Sequence, residues 1–343
     1  MMDAHTASRK DDHLRINLEN EVKSSLTNGF EAYRFLHQAL PEIDLDEVDI
    51  SLTLFNKRLR APLLISSMTG GTQKAAHFNQ LLARAAQEFG LAMGVGSQRA
   101  ALEDPSLEDT FCITRQEAPD ALLFANLGAV QLNMGYGIKE CQKAVDMLAA
   151  DALILHLNPL QEALQPEGDT NFHGLLRRIE EMCTKLSVPV VAKEVGWGIG
   201  ATAAKQLLDA GVAAIDVAGA GGTSWSQVEM YRQPDPQRAQ MISHFQDWGI
   251  PTAQCLVEIK EKIPNACVFA SGGLQNGIDL AKSLALGATL GGIAGPLLRA
   301  ANEGYDQLGK TITLILEELR ICMFATGKKT LAEFDESVIT HIQ

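Results

Sequence analysis

Ala270-Ser271-Gly272-Gly273-Leu274-Gln275-Asn276-Gly277 and, one βα unit later, Gly291-Gly292-Ile293-Ala294-Gly295-Pro296 decide how this chain folds. Each run follows a short apolar segment, 267–270 and 289–293, and precedes a helical pattern. Glycine has no side chain, so backbone N–H groups at such a turn can approach an anion where the next helix begins. One glycine turn is ordinary. Two in consecutive βα units match the loops after strands 7 and 8 that hold a phosphate in (β/α)8 barrels, often that of a flavin mononucleotide.

Upstream of these runs lie six more short apolar segments, at 62–67, 91–95, 121–125, 152–157, 188–192 and 213–217. Helical spacing separates them, as in Phe78, Leu81, Leu82, Ala85 and Ala86, or Leu175, Ile179, Met182 and Leu186. Strands alternating with helices imply parallel βαβ units. No run carries a G-x-G-x-x-G fingerprint after the first strand, which favours a closed TIM barrel over an open doubly wound sheet. The expected organisation is an N-terminal extension (1–60) contributing to the substrate site, an FMN-binding barrel (61–301) and a helical C-terminal extension (302–343) packed on the outside. Residues 219–249, with Trp225, Tyr231, Pro234, Pro236 and Trp248, read as a long loop before the next helix, a lid or an assembly surface.

Composition narrows the function classes. A chain of 343 residues, 46% hydrophobic and 21% charged, suits one large globular domain. Its net charge of −13 argues against nucleic acid, which needs a basic face. The six cysteines form no C-x-x-C pair, so neither a zinc site nor a disulfide framework is indicated. Residues 1–12 are polar and lack the apolar core of a signal peptide, and no apolar run is long enough for a membrane helix, so the expected location is cytoplasmic, with no membrane partner.

In a barrel the chemistry sits where strands end. Those positions are mostly polar here: Ser67 and Thr69, with Met68 between them, after strand 1; Ser97, Gln98 and Arg99 after strand 2; Asn126 at strand 3; His156, Asn158, Gln161 and Glu162 after strand 4; Lys193 and Glu194 at strand 5; Thr223 and Ser224 after strand 6. Lys193 follows Pro189-Val190-Val191-Ala192, so its ammonium emerges from a buried strand, where an unpaired charge is costly and something anionic should meet it. The anionic N1/C2 oxygen edge of a reduced flavin is one such group; a structural carboxylate is the plainer one. His156-x-Asn158-x-x-Gln161-Glu162 offers one carboxylate among neutral groups. That set suits Mg²⁺ shared with waters and a substrate phosphate better than a closed protein cage.

Several segments, in order, resemble the type II, FMN-dependent isopentenyl-diphosphate isomerases: Arg9-Lys10-Asp11-Asp12-His13, Met68-Thr69-Gly70-Gly71, Gly96-Ser97-Gln98-Arg99, Asn126-Leu127-Gly128, 156–162, Lys193-Glu194-Val195-Gly196, Gly221-Gly222-Thr223-Ser224 and Ser271-Gly272-Gly273. The resemblance spans nearly the whole chain. It implies a homo-oligomer, tetramer or octamer, that interconverts isopentenyl and dimethylallyl diphosphate with FMN reduced by NADPH, and Mg²⁺. It also implies that Ser67, Met68, Thr69, Ser97, Asn126, Lys193, Thr223, Gly272, Gly273, Ala294 and Gly295 hold FMN. Arg9, Lys10, Ser97, Gln98, Arg99, His156, Asn158 and Gln161 would meet substrate, Glu162 the metal, and Gln161 and Lys193 would serve catalysis.

A 1,3-proton shift on an unactivated alkene needs a proton added at one carbon and removed from another, yet carboxylates are not conspicuous among the strand-end residues. Reduced flavin in place of a side-chain base would account for that. An amide has no accessible pKa, so Gln161 is assigned to orientation. Two alternatives remain at this point. Residues 272–288 also resemble the FMN-dependent 2-hydroxy-acid oxidases, whose histidine base and carboxylate-binding arginine have no counterpart in Ala218-Gly219-Ala220-Gly221-Gly222-Thr223. A flavin or phosphate sensor without turnover is the other.

Overall fold

The computed structural model describes residues 12–13, 15–68 and 70–342. Eight parallel strands close into a barrel: β1 (Leu63–Ile65), β2 (Ala92–Gly94), β3 (Leu122–Gly128), β4 (Ala152–Leu157), β5 (Val190–Glu194), β6 (Ala214–Asp216), β7 (Val268–Ser271) and β8 (Leu290–Ile293). All eight coincide with the apolar runs of the sequence. Along each strand the side chains alternate between two cores. Leu64, Ala92, Leu122, Phe124, Ile154, Val191, Ala214, Phe269 and Leu290 fill the barrel, whereas Leu63, Leu123, Ala125, Leu155, Ala192 and Ile215 pack under the helices. At the amino end of the barrel a hairpin of Leu52–Leu54 and Lys57–Leu59 closes the floor. Its turn residues, Phe55 and Asn56, have φ of 47° and 63°, and the Phe55 ring meets Phe124 edge-on at 6.3 Å.

The same alternation positions the site. One step of two beyond the inner core, at the carboxyl end, the inward residues become Ser66, Gly94, Asn126, His156, Lys193, Asp216, Ser271 and Gly292. A core of hydrocarbon thus gives way to a polar layer within a single strand period.

Both extensions pack on the barrel. The helix Tyr305–Ala325 lies against the helices that follow β7 and β8, Gly277–Ala285 and Gly295–Glu303, as expected from the 302–343 segment. Beyond it, Ile339–His341 pairs antiparallel with Tyr33–Phe35, joining the two extensions. Residues 219–249 depart from the expected loop, since they contain two helices, Trp225–Arg232 and Pro236–Ser243. Ser226, Gln227, Val228 and Glu229 of the first are all buried in succession, so no 3.6-residue stripe marks it in the sequence. Among the described residues no helix is long and apolar enough to cross a membrane.

Candidate active site

The carboxyl mouth of the barrel holds a cavity of about 540 Å³. Its walls include Ser67, Met68, Ser97, Arg99, Asn126, His156, Asn158, Gln161, Glu162, Lys193, Thr223, Gly272, Gly273, Ala294 and Gly295. These are all the site residues expected from sequence that fall within the described residues, with one exception. Gln98 is fully buried in the wall, where its amide donates to the Ala144 carbonyl at 2.8 Å and accepts from the Asn126 backbone N–H at 2.8 Å. It shapes the mouth and does not line it, so its expected substrate contact is withdrawn. Arg9, Lys10 and Thr69 lie outside the described residues.

The two glycine loops contribute differently. After β7, Gly272 and Gly273 have φ of 101° and 84°, and a Cβ on Gly272 would come 2.1 Å from the Gly219 carbonyl oxygen, so only glycine lets these loops interlock. The following helix does not offer its N-terminus, because Asn276 caps it and the Gly277 N–H donates to Glu318. After β8 the helix Gly295–Glu303 starts at Ala294 with no side-chain cap, and Ala294, Gly295 and the Arg299 side chain border the cavity. Uncapped N–H groups with a guanidinium suit a phosphate. Elsewhere in the wall the Ser66 and Ser67 hydroxyls and the Asn158 amide oxygen are buried without a hydrogen-bond partner, which marks space for a polar ligand.

Over the mouth lies a strap from the N-terminal extension. Lys23 bridges Thr223, the Ser24 N–H donates to the Gly222 carbonyl at 2.9 Å, and the Asn28 amide donates to the Gly273 carbonyl at 2.9 Å. His13, Asn17, Val22 and Lys23 thereby join the cavity wall.

Carboxylates are more prominent here than the strand-end residues suggested. Glu162 accepts from the Asn158 amide at 2.8 Å, from Gln165 and from the Asp169 N–H at 2.7 Å. Asp216 lies beside Lys193. Glu229, from the segment taken for a loop, accepts from the Gln161 amide at 3.0 Å and from Arg232 at 2.6 Å, and its Oε1 lies 3.1 Å from His13 Nε2. Asp216 is hidden inside an apolar run, and Glu229 in a helix without a stripe. Period two from Ala214 would have found Asp216, as it would have found Ser66 from Leu64.

Although burial opposes its charge, His13, Arg232 and Gln161 hold the Glu229 carboxyl at about 2. It is therefore an anchor for Gln161 rather than a proton donor near neutrality. Because its folded-state value lies below the ordinary 4.5, its stabilisation is complete above that pH and is lost as pH falls toward 2. Unfolding measured from pH 6 down to 2 should show the native protein losing about 3 kcal/mol of stability relative to Glu229→Gln. Parallel pH curves for the two proteins would refute the assignment. Glu194 faces away from the mouth and accepts the Val195, Gly196 and Trp197 N–H groups, while burial pushes its carboxyl up to about 7.

The chain is 53% identical over 335 residues to an isopentenyl-diphosphate delta-isomerase of Nostoc sp., covering 97% of this chain and 95% of that one. Isomerases of the same description from Rickettsia bellii and Synechocystis sp. are each 52% identical, over 94% and 96% of this chain and 94% of each relative. The chain belongs to the isopentenyl-diphosphate delta-isomerase family. Residues 155–341 of this isomerase also match the FMN-dependent dehydrogenase family. Among solved structures, a lactate oxidase of Pediococcus acidilactici shares the fold at TM-score 0.68 and 18% identity, covering 96% of this chain and 87% of that one. Flavocytochrome b2 does so at TM-score 0.69 and 19% identity, covering 96% and 82%. At such identities the likeness is one of fold. Residues 218–223 of this isomerase carry no ionisable side chain after β6, so the base expected of a hydroxy-acid oxidase is missing there.

Proposed function

We propose that the protein interconverts isopentenyl and dimethylallyl diphosphate by a 1,3-proton shift in isoprenoid biosynthesis, with FMN in the barrel mouth, NADPH as its reductant and Mg²⁺ on the substrate. The observation that carries this reading is the convergence of the expected residues from all eight strand ends on one cavity, in a chain 53% identical to a named isomerase. Gly272, Gly273, Ala294, Gly295 and Arg299 would hold the FMN phosphate. Ser67, Met68, Ser97, Asn126, Lys193 and Thr223 would border its ring, joined by Thr69. Bound and reduced, FMN supplies an electron-rich surface beside the alkene and a site for a proton.

The remaining groups bind and orient. Gln161, clamped between Glu229 and Asn158, presents a fixed amide to the cavity. His156 Nδ1 lies 2.8 Å from the Asn126 amide oxygen, which fixes the ring with its Nε2 edge turned from that contact. Arg99, with Arg9 and Lys10 of the extension, would meet the diphosphate, and the strap would keep water from the alkene. Glu162, Asp216 and Glu229 are already engaged by neighbouring donors, so none of these three stands ready as a general base. One Glu162 oxygen accepts a single hydrogen bond and lines the cavity, which suits Mg²⁺ held by one carboxylate, waters and substrate phosphate. The division into extension, barrel and C-terminal helix, a homo-oligomeric state and a cytoplasmic location belong to the same reading.

Incubation with FMN, NADPH, Mg²⁺ and isopentenyl diphosphate should yield dimethylallyl diphosphate; no product under any of these conditions would end the isomerase reading. Glu162→Gln should raise the Mg²⁺ concentration needed for half-maximal rate by about tenfold or more while FMN stays bound, whereas an unchanged requirement would remove Glu162 from the metal site. Gly295→Val tests the phosphate position. Its added Cβ would meet only the movable end of Arg299 at 3.2 Å, so the fold should keep its melting temperature. FMN affinity should nevertheless fall roughly 10- to 100-fold, the loss of charge-assisted bonds. Undiminished affinity would place the phosphate elsewhere.

A further inference from the structure

Lys193 and Asp216 are register partners on the adjacent strands β5 and β6, and Ser271 stands on the next strand, β7, two residues beyond the Asp216 partner Phe269. All three continue inward-facing rows, so the topology brings one ammonium, one carboxylate and one hydroxyl together at the top of the barrel. Lys193 Nζ donates to the Glu194 carbonyl at 3.0 Å and to Ser271 Oγ at 3.2 Å, and lies 3.4 Å from Asp216 Oδ2. The Ser271 hydroxyl donates in turn to Asp216 Oδ1 at 2.5 Å. Asp216 is wholly buried, and its Oδ2 has no hydrogen-bond partner; Lys193 is its cation.

A buried carboxylate in this place does two things. It fixes the ammonium at the cavity edge, and it offsets a charge that would otherwise favour an anionic ligand more strongly. We propose that Asp216 is a positioning residue that holds Lys193 at the mouth and, by opposing its charge, limits how strongly the site prefers reduced, anionic flavin over oxidised flavin. Ser271 joins this pair to the glycine turn at Gly272, so charge balance and phosphate cradle share one anchor. The proposal rests on the FMN reading of the cavity.

The test uses the full-length protein loaded with FMN. Asp216→Asn keeps the shape and the acceptor for Ser271 while removing the charge. The midpoint potential of bound FMN should move positive, with the affinity ratio of reduced to oxidised FMN rising about tenfold, about 30 mV for a two-electron couple. Lys193→Met should move it negative. Lys193→Met also strands a buried carboxylate, so its melting temperature should fall by on the order of 5–10 °C and recover when Asp216→Asn is added. A residue with a merely structural role would lower stability without shifting the potential. If Asp216→Asn alone does not fold, the double variant against Lys193→Met decides. An unmoved potential in Asp216→Asn with FMN bound, or no recovery in the double variant, overturns the proposal alone; no FMN uptake by the unaltered protein overturns it together with the reading beneath it.

Discussion

Lys193→Ala should lower turnover by a factor on the order of 10² or more, measured as product formed per enzyme with FMN fully reduced and isopentenyl diphosphate saturating. Among the described residues Lys193 is the lysine or arginine that the barrel strands themselves deliver to the inner polar layer, and its ammonium is held by the Glu194 carbonyl, Ser271 and Asp216 before any ligand arrives. Such preorganisation makes a charge effective, because it is already oriented when the reaction needs it and little water is present to screen it. Arg99 sits nearer solvent and is tied to Glu103 at 2.7 Å and Asp169 at 3.1 Å, so its loss should act mainly on substrate affinity. A Lys193→Ala enzyme with undiminished turnover would show that the anionic edge of the ligand lies away from β5.

The barrel was legible because its signals are local. Eight apolar runs with helical spacing between them specify eight strands and their helices, and the glycine pairs mark the β7 and β8 ends without reference to the rest of the chain. Most of the cavity wall followed from the rule that polar residues at strand ends converge. Gln98 shows its limit: it follows the strand end like Ser97 and Arg99, but its amide turns back to bind Ala144 and Asn126. Asp216 and Ser66 were hidden by the opposite error, since each lies inside an apolar run and only the in-out alternation reveals that it faces the mouth. Arg299 depends on which face of a later helix meets the cavity, and Glu229 on which face backs Gln161 in its wall. Glu229 in particular sits in a run of four buried residues where periodicity carries no signal. The strap depends on long-range pairing, such as Asn28 with Gly273, that no local pattern encodes.

Under the proposed function the reaction should be redox-neutral although the flavin is used in its reduced form. No hydrogen is gained or lost between isopentenyl and dimethylallyl diphosphate, so reduction of the cofactor would prepare the site and would not be consumed by turnover. The engaged state of Glu162, Asp216 and Glu229 points the same way, since none is placed to act as a free base. Solvent deuterium should enter the product, because one proton is supplied and another released in each cycle. The deciding measurement is the ratio of product formed to NADPH oxidised, under anaerobic conditions with FMN, Mg²⁺ and isopentenyl diphosphate present. Many molecules of dimethylallyl diphosphate per NADPH are expected; one product for each NADPH consumed would make the protein an oxidoreductase and contradict the account.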